Sequence, residues 1–207
     1  MQRRAKRVIL FWATLVTVIA LFAFAAWLYY PTELNMEKPQ DFYAVSREAS
    51  LSELIQMADK NSSVTLYLPS ALPPGFQLTA IYLSEGADGY FIAMVVYSAT
   101  GNKDYKTAEL VIQIAPSLLS PTYEQLQTWV KDPKAKEIGA RALEINGWPV
   151  RVDERASTGG DEEHVAKYGE YQLLVEVWIE GINYTISPMT LTPDEAIQLV
   201  RSMRPIS

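Results

Sequence analysis

Cysteine is absent from all 207 residues. That excludes a lipid-modified N-terminal cysteine, a disulfide framework, thiol catalysis and any cysteine-built metal site. Histidine is almost absent too, since His164 is the single imidazole of the chain. No G-x-S-x-G, H-E-x-x-H or G-x-x-x-x-G-K pattern occurs, so the common signatures of hydrolases, zinc proteases and phosphate-binding loops are missing. Acidic residues are absent from the first 30 positions. All 24 of them follow, against 14 of the 18 basic ones, so residues 31–207 carry a net charge of −10. A body of that sign argues against nucleic acid as a partner and against docking on anionic lipid head groups.

What the N-terminus has instead is an unbroken run of 21 uncharged, mostly apolar residues at 8–28, directly after Arg3, Arg4, Lys6 and Arg7. About 20 such residues cross a bilayer as a helix. The basic cluster stays on the cytoplasmic side, which places residues 1–7 inside as a tail and the C-terminal body outside. Trp12, Trp27, Tyr29 and Tyr30 lie towards the ends of the run, where amphipathic rings settle at the membrane interface. Ala23-Phe24-Ala25 resembles the small-residue site of a cleaved signal peptide, but the run exceeds the roughly 7–15 residues of a signal h-region. The expected arrangement is a retained single-pass anchor in the cell membrane, with the lipid bilayer as its partner. Ala13 and Thr17 are spaced for close helix approach, although no GxxxG is present.

Residues 29–49 read as a charged, proline-flanked juxtamembrane stalk, and residues 50–207 as one extracytoplasmic domain. Ser50 and Glu53 make a capping box ahead of Leu51, Leu54, Ile55 and Ala58, which predicts a short amphipathic helix. Four strands follow, near residues 64–68, 76–83, 90–97 and 107–114. The third is apolar on both faces and should be central, with something packed on each side. Ser120-Pro121 opens a second helix with Tyr123, Leu126, Trp129 and Val130 along its apolar stripe, and Asp132-Pro133 ends it. Asn146-Gly147 between strand-like runs predicts a type I′ hairpin. Pro149 places its strand at an edge or a bulge. Residues 153–169 read as a polar loop. Tyr171, Leu173, Val175, Val177 and Ile179 then alternate along a strand that turns at Gly181 and pairs back through Ile182, Tyr184 and Ile186. Thr192-Pro193-Asp194-Glu195 caps a final amphipathic helix. The expected fold is α+β: an N-terminal transmembrane helix, then a mostly antiparallel β-sheet covered by about three amphipathic helices.

Two stretches carry a family likeness. Leu66-Tyr67-Leu68-Pro69-Ser70-Ala71-Leu72-Pro73-Pro74-Gly75-Phe76 resembles the opening "P-x-x-LP-x-G-aromatic" element of a prokaryotic domain of unknown function, DUF4367. The hairpin Leu143-Glu144-Ile145-Asn146-Gly147-Trp148-Pro149-Val150, the set Trp178, Gly181, Tyr184 and Ile186, and the closing helix from Thr192 to Met203 resemble its C-terminal half. The likeness spans roughly residues 64–204. It implies an extracytoplasmic binding or sensing module distantly similar to the LolA/RseB-like half-barrel. It brings no catalytic residues with it. The seven-residue tail is too short for the sigma-factor-binding domain that some members carry.

Each candidate site has an ordinary structural reading beside it. His164 follows Asp161, Glu162 and Glu163, but the spacing matches no established metal loop, and a solvated loop is expected. Glu85 with Asp88, and Asp153 with Glu154, read as solvated carboxylates on exposed turns. Trp129, Trp148, Trp178, Phe76, Tyr82, Tyr90, Tyr97 and Tyr184 should mostly be core. Trp178 and Leu174 fall on the outward positions of their strand, so either a helix covers that face or it is a ligand or partner surface. Asn61 and Asn183 begin glycosylation acceptor patterns. The functional expectation is a non-catalytic, membrane-anchored binding or sensing module for an apolar or cell-envelope ligand, with no cofactor and no metal. The alternative is an accessory subunit held by a membrane-protein partner.

Overall fold

The computed structural model describes residues 42–62, 64–86, 90–158 and 162–206. The chain divides between Asp41 and Phe42 into two units, and the second is described here. The expected tail, the anchor at 8–28 and most of the expected stalk lie outside the described residues. Among the described residues, no helix is long and apolar enough to cross a membrane.

The elements in chain order are α1 (Phe42–Val45), β1 (Arg47–Glu48), α2 (Leu51–Ser62), β2 (Leu66–Pro69), β3 (Gln77–Glu85), β4 (Phe91–Ser98) and β5 (Leu110–Pro116). There follow α3 (Tyr123–Trp129), α4 (Pro133–Glu137), β6 (Arg141–Ile145), β7 (Trp148–Ser157), α5 (Glu162–Tyr168), β8 (Tyr171–Ile179), β9 (Ile182–Pro188), α6 (Pro193–Arg201) and β10 (Met203–Ile206). Eight strands form one sheet in the order β1-β3-β4-β5-β9-β8-β7-β6, and β10 pairs with β2 in a small separate ladder. Every pairing is antiparallel. The domain is therefore α+β with a mostly antiparallel sheet.

Period-two alternation decides which side chains go inside. Phe91, Ala93 and Val95 of β4, Leu110, Ile112 and Ile114 of β5, Tyr184 and Ile186 of β9, and Val175 and Val177 of β8 share the first face and are buried. Leu54, Met57 and Ala58 of α2, Ala196, Leu199 and Val200 of α6, and Leu66, Leu68 and Met203 of the small ladder join the same core. Burial of this one large apolar face is the main stabilising term. Tyr184 links the two sheets, because its hydroxyl accepts a hydrogen bond from the Tyr67 amide at 3.0 Å. Burial pushes the Tyr184 phenol far above its ordinary pKa.

Local sequence sets the helix ends and turns. Ser50 with Glu53, Thr122 with Gln125, and Thr192 with Glu195 each form a reciprocal capping box. Asn146 and Gly147 both have positive φ, 56° and 80°, as a type I′ turn requires.

Four expectations need correction. The domain begins at Phe42 rather than residue 50, because β1 pairs with β3 through Arg47↔Leu83 and Glu48↔Tyr82. The segment 153–169 is not a loop: β7 runs on to Ser157 past a bulge after Asp153, and residues 162–168 form α5. Pro149 is neither on an edge strand, since β7 lies between β6 and β8, nor at the bulge of its strand, which follows Asp153. It is tolerated because the β7–β8 ladder starts one residue later, at Val150↔Val177, so no ladder partner is lost. Trp129 and Tyr90, expected in the core, are 42% and 47% exposed.

Candidate functional site

The second face of the sheet carries the residues singled out as a candidate surface. Strand register sets Tyr82, Met94, Gln113, Thr185, Glu176 and Arg151 in one row across six strands. The next row holds Ala115, Asn183 and Trp178. Leu174 stands opposite Asp153. The face is thus apolar on the β3–β4 side and polar on the β7–β8 side.

The apolar side is capped by the segment before β5. Ala80, Val96, Ala108 and Val111 form a second, smaller core with Tyr82, Met94 and Tyr105 against it. Phe42 meets the Tyr105 ring edge-on, with centroids 5.6 Å apart. The lower part of the face lies under α5, which grips the same segment through two carbonyls. His164 Nδ1 faces the Lys106 carbonyl at 2.9 Å. Since a carbonyl only accepts, Nδ1 carries the proton. Tyr168 Oη and Lys167 Nζ both donate to the Thr107 carbonyl, at 2.8 and 2.6 Å. His164 is 7% exposed and acts as a strut, which corrects its expected place in a solvated loop. Among the described residues, no group of three or more His, Asp or Glu side chains is placed to hold a metal ion.

Asp153 also departs from expectation. It is not on an exposed turn but within β7, 4% exposed. Arg151 reaches it as a fork, Nε to Oδ1 and Nη2 to Oδ2, both at 2.9 Å. Arg151 Nη1 lies 4.0 Å from Glu176 Oε2. Glu154, its expected partner, is a surface residue paired with Arg141 at 3.0 Å. Glu85 is likewise at the surface, 3.6 Å from Arg47, and Asp88 lies outside the described residues.

Burial raises the Glu176 pKa above the ordinary carboxylate value, with Arg151 opposing the rise and Asp153 adding to it. A carboxyl raised in this way favours the folded state while protonated. It loses that contribution as pH climbs through its folded pKa. Glu176→Gln is therefore expected to raise the urea midpoint at neutral pH and to match the parent in acid below the carboxylate range. A midpoint lowered at neutral pH would show that attraction to Arg151 outweighs burial.

Trp178 is 9% exposed and Leu174 is half-buried. Of the two readings left open, cover rather than an open apolar patch describes Trp178. The acceptor pattern at Asn183 falls inside β9, where Asn183 Oδ1 accepts from Thr185 Oγ1 at 2.8 Å. The side chain of Asn61 lies outside the described residues.

Sequence reasoning missed the grooves beside the small ladder. One of about 310 Å³ is lined by Ala71, Leu72, Pro73, Pro74, Gln198 and Leu199, with Asp194 and Glu195 at the N-terminal end of α6. Another of about 400 Å³ runs between α2 and β10, lined by Ile55, Ala58, Val64, Leu66, Pro205 and Ile206 among others. The only sequence signal for the first was the run Leu72-Pro73-Pro74-Gly75, in which Gly75 has a φ of 84° and turns the chain into β3. The chain matches no family model, no curated protein and no solved structure.

Proposed function

We propose that this protein is a membrane-anchored extracytoplasmic module that binds an apolar or cell-envelope ligand without chemical turnover. The observation that carries the reading is the groove between the Leu72-Pro73-Pro74 turn and α6. It is mostly apolar with a few polar groups at its rim, the usual make-up of a binding groove. The use of His164 as a buried strut supports a role without general-base chemistry. The run at residues 8–28 behind four basic residues supports the anchor and the outward domain. The groove wall also belongs to the element that resembles DUF4367, in keeping with the binding or sensing role which that likeness implies.

A photo-crosslinking amino acid at Gln198, in the full chain in native membranes, tests this. The expected product is an adduct with the mass of a lipid or envelope fragment, abolished by Leu72→Glu. An adduct with one stoichiometric membrane protein would replace the reading with that of an accessory subunit. Recovery of the intact chain in the cytosolic fraction would overturn the anchor.

A further inference from the structure

We infer that one end of the eight-stranded sheet rests in the interface of a neutral, zwitterionic bilayer, with Leu118 and Leu119 as its inserting residues. The inference rests on reading residues 8–28 as the anchor.

The strand directions collect certain connections at a single end. β3 ends there at Glu85 and β4 begins there at Phe91. β5 ends there opposite the start of β9, Pro116↔Ile182. β1 begins there, two residues after Val45. Among the described residues, seven large hydrophobic side chains are exposed. Four of them occupy this end: Val45 at 43%, Tyr90 at 47%, Leu118 at 106% and Leu119 at 66%. Leu78, near the start of β3, and Tyr171, the first residue of β8, lie at the opposite end.

Leu118 and Leu119 are not accidents of a loose loop. Ser117 N donates to the Gly181 carbonyl at 2.8 Å, and Ser117 Oγ bonds both the amide and the carbonyl of Leu119. The loop is pinned while its two leucines project. Two adjacent leucines so exposed are costly in water unless something covers them.

The choice of a lipid surface follows from tether length and charge. Residues 29–41 separate the apolar run from the domain. These 13 residues reach at most about 45 Å when extended. The chain enters the sheet at the end that carries the leucines. Arg47, the basic residue beside the entry, is engaged by Glu53 and Glu85, and Glu180 sits on the β8–β9 turn of the same end. Residues 31–207 carry a net charge of −10, so contact by aliphatic and tyrosine side chains suits a zwitterionic interface, and an anionic one is disfavoured.

The absence of cysteine makes the test direct. Leu118→Cys and Leu78→Cys, each labelled with an environment-sensitive nitrobenzoxadiazole, are reconstituted as full chains in phosphatidylcholine vesicles with or without nitroxide-bearing lipid. The label at 118 is expected to be quenched at least about twofold more than the label at 78. Leu119→Asp should abolish the difference. Replacing half the lipid with phosphatidylglycerol should reduce it. Equal quenching at both positions while the chain still floats with the vesicles overturns the inference and leaves the anchor standing. A chain that does not float overturns the anchor, and this inference with it.

Discussion

Tyr184→Ala should lower the stability of the domain by about 4 kcal/mol, the loss typical of emptying a large aromatic site in a packed core. Tyr184 is fully buried and lies at the centre of the first face, where strand β9, the helix layer and the small ladder meet. Tyr184→Phe isolates one part of that sum. It keeps the ring and removes the acceptor for the Tyr67 amide, leaving a part-buried N–H without its partner at a cost of about 1.5 kcal/mol. Urea unfolding of the two variants reads both values. Hydrogen exchange at Tyr67 gives a second readout, since the Phe variant should speed it far more than exchange in β4 or β5. A Phe variant as stable as the parent would mean that the small ladder is held by its apolar contacts alone.

This link between the two sheets was not legible in the sequence, and the reason is physical. β10 and β1 are short edge strands whose pairing partners lie far away along the chain, β10 with β2 and β1 with β3. Neither has a periodic pattern of its own, so tertiary pairing alone creates them. What was legible lay where local chemistry decides. The Ser50 and Thr192 capping boxes, the Asn146-Gly147 turn and the inward placement of Val175, Val177 and Ile179 all stand as read, while Tyr171 at the head of that strand is exposed. So does the two-sided burial of β4, because apolar residues at both parities need cover on both faces. The stretch 153–157 looked like loop because a polar strand on a covered face shows no apolar alternation. α5 was missed because seven residues with a single buried side chain, His164, make no stripe. For the candidate site, the outward placement of Trp178 and Leu174 followed from parity. Their burial did not, since whatever covers a face comes from segments distant in the sequence.

The same polar strand holds the second large prediction. Arg151→Met is expected to destabilise the domain by about 3 kcal/mol, because it strands a carboxylate that the fold has taken out of water. The Asp153 side chain is 6% exposed and that of Arg151 26%. The carboxylate therefore depends on its fork-like partner, while the guanidinium keeps some solvent. That asymmetry sets the order of the single variants. Asp153→Leu should cost less than Arg151→Met, since a partly solvated guanidinium still has water and Glu176 within 4.0 Å. The double variant should recover most of the loss, as apolar side chains of similar size often replace a buried pair at little cost. The cycle should then yield a coupling of about 2 kcal/mol between adjacent sites, well above what independent positions give. If the two single losses simply add, the pair contributes only surface electrostatics. The polar side of the second face would then be a solvated strip rather than a buried ionic one, and the raised Glu176 would lose its structural cause along with it.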